Sequence, residues 1–581
     1  MRERLRDPDY VHGKRWLVLL VLCVSLIVII LDNTILNVAL PTLAKATDEG
    51  GLDASQSQLQ WIVDSYTIVF AGLLLTAGSM GDRFGRYKCL ALGLAVFGVG
   101  SVLSAFATSA SILILTRAVM GIGGAFIMPA TLSILTNVFR DPDERRKAIG
   151  IWAGVSALGL GVGPITGGTL LTHFWWGSVF LINVPVVIAG LVAGYFLIPE
   201  SKDPSEPRLD PVGAVLSIVG LGTVLWAVIE APEKGWTSTP VIAAFAVGAL
   251  VLAGFFIWER HSTHPMLDMK LFRNPRFSAA SAAITLTFLA LFGVVFLLTP
   301  YLQTVLGYST VKAGALLLPM SAVMMVLAPT SSIWVRKWGN RVVVATGMGI
   351  VAVAMLLYTT LDVDSSVWHV IALTVLMGAG MANIMAPATD SIMGSLPRAK
   401  AGVGSAVNDT TRQVGGAVGV AVLGSVLASR YSSHIDSLLG GQAPEPLLDQ
   451  IGNSIGRAVV VVENVPQAKP FAPQIMDAAK ESYVAGFHTA SLVAAGVLLV
   501  GMIVVLKFLP ARHRDEAPAG VGEVVGAGVA AADPVPGAPT LATVDDGGRV
   551  PPGGSDGVRT NGSGDVESVE PEEAPSRELR R

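Results

Sequence analysis

The residues able to do chemistry in this chain are few, and they stand in apolar company. Asp32 sits in Leu31-Asp32-Asn33-Thr34-Ile35-Leu36-Asn37-Val38-Ala39-Leu40-Pro41, directly after an uncharged run from Trp16 to Leu31. Joined to the residues after Asp32, that run is long enough to cross a bilayer, and an acid inside such a span marks a functional site by default. Asp64, in Gln60-Trp61-Ile62-Val63-Asp64-Ser65-Tyr66, and Arg117 are placed in the same way. Groups of this kind carry protons or meet charged solutes; the plain alternative is a structural ion pair that ties helices together. A second group is Asn408-Asp409-Thr410-Thr411-Arg412-Gln413, where Asp409 and Arg412 are three residues apart on one helical face. At that spacing they can pair, and the patch reads as a gate or a coupling site, with a local salt bridge as the plain alternative.

These charges must be positioned by a mostly apolar frame. The chain has 581 residues, 52% hydrophobic and 14% charged, against about 25% charged in soluble domains. About fourteen apolar spans account for the deficit, near 14–42, 57–79, 88–108, 111–138, 145–171, 177–198, 211–231, 239–259, 277–304, 312–335, 341–361, 368–394, 401–429 and 485–509. They are read as helices, because the alternation of barrel strands is missing and a lipid-facing backbone must satisfy itself. The first run lacks a small-residue cleavage site and reads as a retained helix. Of the 40 Lys and Arg, 26 fall in segments on one side when the N-terminus is placed inside, and 7 on the other. Both termini are therefore expected in the cytoplasm. Residues 430–484 read as a long extracellular loop, part of it near 446–482 as amphipathic surface helix, and 511–581 as a disordered cytoplasmic tail.

The net charge of −3 gives no basis for a nucleic-acid partner. Cys23 and Cys89 suggest neither a disulfide nor a metal site, and no catalytic triad, metal-ligand spacing or phosphate loop is present. Neither a cofactor nor an enzymatic activity is expected.

Span four carries Met120-Gly121-Ile122-Gly123-Gly124-Ala125-Phe126-Ile127-Met128-Pro129-Ala130-Thr131, and span twelve carries Met377-Gly378-Ala379-Gly380-Met381-Ala382-Asn383-Ile384-Met385-Ala386-Pro387-Ala388-Thr389. With one inserted residue the two match. Arg83-Phe84-Gly85-Arg86 has a weaker echo in Lys337-Trp338-Gly339-Asn340-Arg341. Residues 1–200 and 271–510 thus read as two copies of a six-helix bundle, and 201–270 as two inserted helices with a linker. Parallel repeats of this kind suggest a transporter with its site between the halves. A rise of about 1.5 Å per residue puts Asp32 roughly 12 Å, and Asp64 and Arg117 roughly 9 Å, below the outer ends of their spans. Asp409 and Arg412 lie in the inner part of the other half.

Two glycine-rich stretches complete the pattern. Gly154, Gly159, Gly161, Gly163, Pro164, Gly167 and Gly168 in span five permit close helix approach and a bend. The loop from Gly78 to Lys88 is a tight turn in which Asp82 is suited to cap a helix or to meet Arg across the halves, as a latch with Arg83, Gly85 and Arg86. The alternative is that its cations only set topology.

Together these motifs resemble the major facilitator superfamily, and within it the fourteen-span drug:H⁺ antiporters. Gly78 to Lys88 looks like that superfamily's loop signature, with Gly81 and Tyr87 as mild departures. Arg117 with Gly121 to Ala125 resembles the fourth-helix motif, Gly154 to Gly168 the antiporter motif, and Leu31 to Pro41 the first-helix motif; Asp64 resembles an acid of the second helix. The resemblance covers about residues 14–510. It implies a multi-pass plasma-membrane protein that exports drugs, often hydrophobic cations, by proton-driven alternating access, working as a monomer in the lipid bilayer without a cofactor. A dedicated exporter of one antibiotic or metabolite, and a non-transporting membrane sensor, are the competing readings.

Overall fold

The computed structural model describes residues 7–510 apart from 48–49, 206–208, 236, 440–447, 449–450, 453 and 466–468. The expected tail, 511–581, lies outside the described residues. Among the described residues there is no strand, and fourteen helices are long and apolar enough to cross a membrane. They are α1 (Asp9–Leu36), α2 (Ser57–Phe84), α3 (Arg86–Ala105), α4 (Ala110–Val138), α5 (Pro142–His173), α6 (Ser178–Leu197), α7 (Pro211–Ala231), α8 (Thr239–His261), α9 (Pro275–Val305), α10 (Val311–Trp338), α11 (Asn340–Thr360), α12 (Val367–Met393), α13 (Arg398–Leu439) and α14 (Lys469–Phe508).

Local chemistry sets where these helices begin. Ser55 and Gln58 form a reciprocal capping box at α2, and Ser109 and Ser366 accept backbone N–H groups at the starts of α4 and α12. Asp141-Pro142, Asp210-Pro211 and Asn274-Pro275 place a side-chain cap directly before a proline in the first turn of α5, α7 and α9.

The sequence repeat is also a repeat of packing. Gly85 (φ 114°) turns α2 into α3, and Gly339 (φ 81°) turns α10 into α11; both sit in the left-handed region that favours glycine. A Cβ on Gly93 would lie 2.8 Å from the Gly123 carbonyl oxygen, and one on Gly347 would lie 2.9 Å from that of Gly380. So α3 crosses α4 as α11 crosses α12, backbone against backbone. Gly121 and Gly378 press in the same way on the carbonyls of Tyr66 in α2 and Met320 in α10, each 2.7 Å from a Cβ placed there. Gly159 and Gly163 of α5 meet α1, as Gly415 and Gly419 of α13 meet α9.

Across the two repeats, α5 packs on α10 and α2 on α13. The inserted α7 lies against both α2 and α13, and α8 packs on α7 through Gly220 beside Leu252 and Gly248 beside Val224.

One expectation is corrected. Residues 430–484 are not a long loop: α13 continues to Leu439, α14 begins at Lys469, and Ile455–Asn464 is a helix. Tyr431, Ile435, Ile475 and Ala479 are buried, and the Tyr431 hydroxyl donates to the Ile451 carbonyl at 3.1 Å. The amphipathic character is present, but Ile455, Ala458 and Val461 turn inward and the helix packs on α14. Hydropathy misses these turns because their other faces are polar.

Candidate functional site

The first group forms around Arg117, whose side chain is fully buried in α4. Its Nη1 pairs with Asp32 Oδ2 of α1. Its Nε donates to the Ile62 carbonyl of α2 at 3.1 Å, and its guanidinium lies 4.5 Å from the centroid of the Tyr66 ring, a favourable cation–π geometry. The other carboxylate oxygen, Asp32 Oδ1, accepts from Asn183 Nδ2 of α6 at 3.0 Å, and the same amide donates to Ser101 Oγ of α3 at 3.3 Å. One acid thus knits the first bundle together. Both carboxylate oxygens are satisfied, while Arg117 Nη2 has no hydrogen-bond partner; removing one member of such a buried pair typically costs about 3–5 kcal/mol.

Tyr66 of α2 faces Arg117, and Asp64, two residues before it, starts from another face of that helix. It is half-buried there. Asn183 was not anticipated; its only signal is an amide inside the apolar run of α6.

The second group lies between the bundles. Asp409 and Arg412 are both buried, yet no hydrogen bond joins them. Asp409 Oδ1 accepts from Asn408 Nδ2 at 3.1 Å, while Oδ2 has no partner. An Arg412 Nη donates instead to Thr389 Oγ1 of α12 at 3.1 Å, and Nε is left unpartnered. Its guanidinium carbon is 5.0 Å from the Trp152 ring of α5, in the other bundle, and 5.4 Å from the Phe288 ring of α9. The pull of two aromatic faces explains why α-helical spacing alone misplaced Arg412.

The glycines of α5 divide into two stripes. Gly159, Gly163 and Gly167, every fourth residue, face Ile30, Thr34 and Ile35 of α1. Gly154, Gly161 and Gly168, every seventh, face Met325, Leu318 and Val311 of α10, and Pro164 abuts Gly314. Helix α5 is therefore in close contact with its own bundle on one side and with the partner bundle on the other.

The third group closes one end of the molecule. Asp82, almost wholly buried, accepts from Arg86 Nε and Nη2 at 3.0 and 2.8 Å. It also accepts from the backbone N–H groups of Gly402 and Val403, at 2.8 and 3.1 Å, in the first turn of α13. A carboxylate at a helix N-terminus is doubly favoured, by hydrogen bonding and by the helix dipole. Gly78 and Gly402 allow the approach: a Cβ on Gly78 would stand 2.5 Å from the Gly402 carbonyl oxygen. Arg86 also donates to the carbonyls of Arg398 and Ala399, at 2.8 and 2.7 Å. The Arg83 guanidinium lies 5.4 Å from the Phe84 ring.

Opposite, Asp390 of α12 accepts from Arg145 and Arg146 of α5 at 2.9 and 3.2 Å. Sequence alone assigns these two arginines only a topological role. The latch is two-sided, each bundle supplying an acid to the other. A strap after α6 backs it: Arg86 N–H donates to the Ser201 carbonyl, Asp203 N–H to the Asp82 carbonyl, and Tyr87 N–H to Glu200. Surrounding protein pushes the Glu200 carboxyl above the usual carboxylate range, and the N–H groups of Ser201 and Tyr87 partly offset this.

Two like bundles with ionisable groups sealed inside them, latched together at one end, have the construction of a secondary membrane transporter. The chain belongs to the Major Facilitator Superfamily, which it matches over residues 22–420. It is 38% identical over 492 residues to the multidrug efflux pump LfrA of Mycolicibacterium smegmatis, covering 85% of this chain and 96% of that protein. It is 32% identical to the tetracenomycin C resistance and export protein of Streptomyces glaucescens, covering 87% and 94%. The methyl viologen resistance protein SmvA of Salmonella typhimurium is 33% identical, with 86% and 99% covered. In fold, the crystal structure of the human organic anion transporter MFSD10 is similar, with a TM-score of 0.55 at 13% identity, over 84% of this chain and 99% of that one.

Proposed function

We infer that this multi-pass protein of the cell membrane exports drugs, and we propose that a proton bound at Asp32 drives the exchange. The observation that carries the coupling is the burial of Asp32 against Arg117 and Asn183. A proton on Asp32 cancels the charge that holds Arg117, leaving Arg117 with the Ile62 carbonyl and the Tyr66 ring. The hold of α1 on α4 then weakens. Helix α5, in contact with α1 and α10, carries that change to the other bundle.

With both termini in the cytoplasm, as the Lys and Arg distribution indicates, the Asp82 and Asp390 latch closes the cytoplasmic end. Opening it admits drug from the cytoplasm toward the surfaces of Trp152, Phe288, Asp409 and Arg412. Aromatic faces suit flat apolar compounds and a carboxylate suits a positive charge. Because proton and drug favour different conformations, each lowers the affinity for the other, and exchange results. The proton gradient is the only energy source required, without a cofactor, and one chain in the bilayer contains all the parts.

Ethidium efflux from proteoliposomes under an imposed pH gradient tests this. Gradient-dependent efflux of several cationic dyes is expected; efflux that ignores the gradient defeats the coupling. The export function named for the tetracenomycin relative favours a second reading, a narrow exporter of one compound. A dye panel in which only one compound moves would select it.

A further inference from the structure

Asp409 Oδ2 and Arg412 Nε are an acceptor and a donor on one helix, three residues apart, both buried and both unsatisfied. Each unmet group is costly in a buried site. Residues at this spacing are neighbours on a helix surface and can meet. What keeps them apart comes from outside the helix. Trp152 is wholly buried, its Nε1 donates to Thr131 Oγ1 of α4 at 3.2 Å, and its ring face receives Arg412 at 5.0 Å. The Trp152–Thr131 hydrogen bond joins α5 to α4, so the orientation of the indole is set within the first bundle. Arg412 belongs to the second. Trp152 and the latch arginines Arg145 and Arg146 are on the same helix, two turns apart or less.

We propose that Trp152 is a positioning residue: its indole holds the Arg412 guanidinium off Asp409 while the latch is closed. When α5 moves away from α13, Arg412 loses that face and pairs with Asp409 on its own helix. The two unsatisfied atoms of the closed state become each other's partners in the open state. Their cost in one conformation is thus offset in the other, which links the charge that Asp409 presents to the latch. This inference rests on the transport reading above. It adds a second coupling element, in the bundle that does not contain Asp32.

The test uses the full-length protein, purified and reconstituted, with ethidium as substrate. Ethidium efflux is read in proteoliposomes, and proton release on ethidium binding is read with a pH dye in lightly buffered detergent. At ethidium concentrations that saturate each variant, Trp152→Leu should release at least five-fold fewer protons per bound dye than the wild type, and efflux should fall at least ten-fold. Trp152→Phe, which retains an aromatic face, should restore at least half of both. If Trp152→Leu does not fold, Arg412→Lys serves instead, because a lysine cannot spread a planar cation between two rings. It should show the same loss of proton release per bound dye at saturating ethidium. Wild-type proton release in the leucine variant, or a phenylalanine variant as impaired as the leucine one, overturns the proposal. Wild-type protein that releases no proton on binding ethidium would instead overturn the coupling reading itself.

Discussion

Replacing Asp82 by asparagine should shift the protein toward the unlatched conformation by an amount that the geometry allows to be sized. Asp82 accepts from two N–H groups of α13, at 2.8 and 3.1 Å, across the bundle boundary. Hydrogen bonds to a charged group contribute about 1.5–3 kcal/mol each, and a neutral one about 1 kcal/mol. An asparagine oxygen keeps one neutral bond and loses the charge at the α13 N-terminus. The net loss to the closed state is about 2–5 kcal/mol, while Arg86 still donates to the carbonyls of Arg398 and Ala399 in both proteins. At 1.4 kcal/mol per tenfold, that is about a 30- to 4,000-fold change in the closed-to-open ratio. Spin labels at cysteines replacing the exposed Lys147 and Lys400, one in each bundle, report it as a longer distance population. The two native cysteines, Cys23 and Cys89, are buried, so they compete little for label. A distance distribution unchanged by Asp82→Asn would refute the latch.

Three further outcomes are expected. Gly402→Ala should unlatch the protein by steric means, since a Cβ there would stand 2.6 Å from Asp82 Oδ1; the same label pair reads it, and Asp82→Asn added to it should produce less than the sum of the two effects. Arg117→Lys should abolish efflux while leaving the protein membrane-inserted, because a point cation cannot at once reach Asp32, the Ile62 carbonyl and the Tyr66 face; near-normal gradient-driven dye efflux would contradict it. Glu200 predicts a pH dependence of the strap. Its folded-state pKa is raised, so the folded protein holds more protons than the unfolded one between the two values, and docking weakens as pH rises through that window. Hydrogen exchange of the Arg86 and Tyr87 amides should slow as pH is lowered through it, after correction for intrinsic rates, and Glu200→Gln should remove the dependence.

The frame was readable because lipid imposes hard rules: long apolar runs, cations on one side, and a repeat strong enough to see at Gly121 and Gly378. Asp32 and Arg117 were legible as anomalies in oil, and helix depth alone put them in one layer. Depth does not specify azimuth: Asp64 is expected in the same layer, but its place two residues from Tyr66 starts it on another face of α2. The contacts of Asp409 and Arg412 were hidden for a related reason. Helical spacing states what two residues can reach, whereas Trp152 and Phe288, distant in sequence, decide what Arg412 touches. The reciprocal half of the latch, Asp390 with Arg145 and Arg146, was hidden because loop arginines already had a topological explanation. In sequence the α5 glycines form one stretch; only packing separates the stripe on α1 from the stripe on α10.

The account stands on Asp32 carrying a proton in exchange for drug. Its most direct test is a proteoliposome with an ethidium gradient and no imposed pH gradient, an internal dye reporting proton movement. The wild type should drive protons against the direction of ethidium flow, with Asp32→Asn showing none while still binding ethidium. Proton movement that persists at the wild-type rate in Asp32→Asn would contradict it.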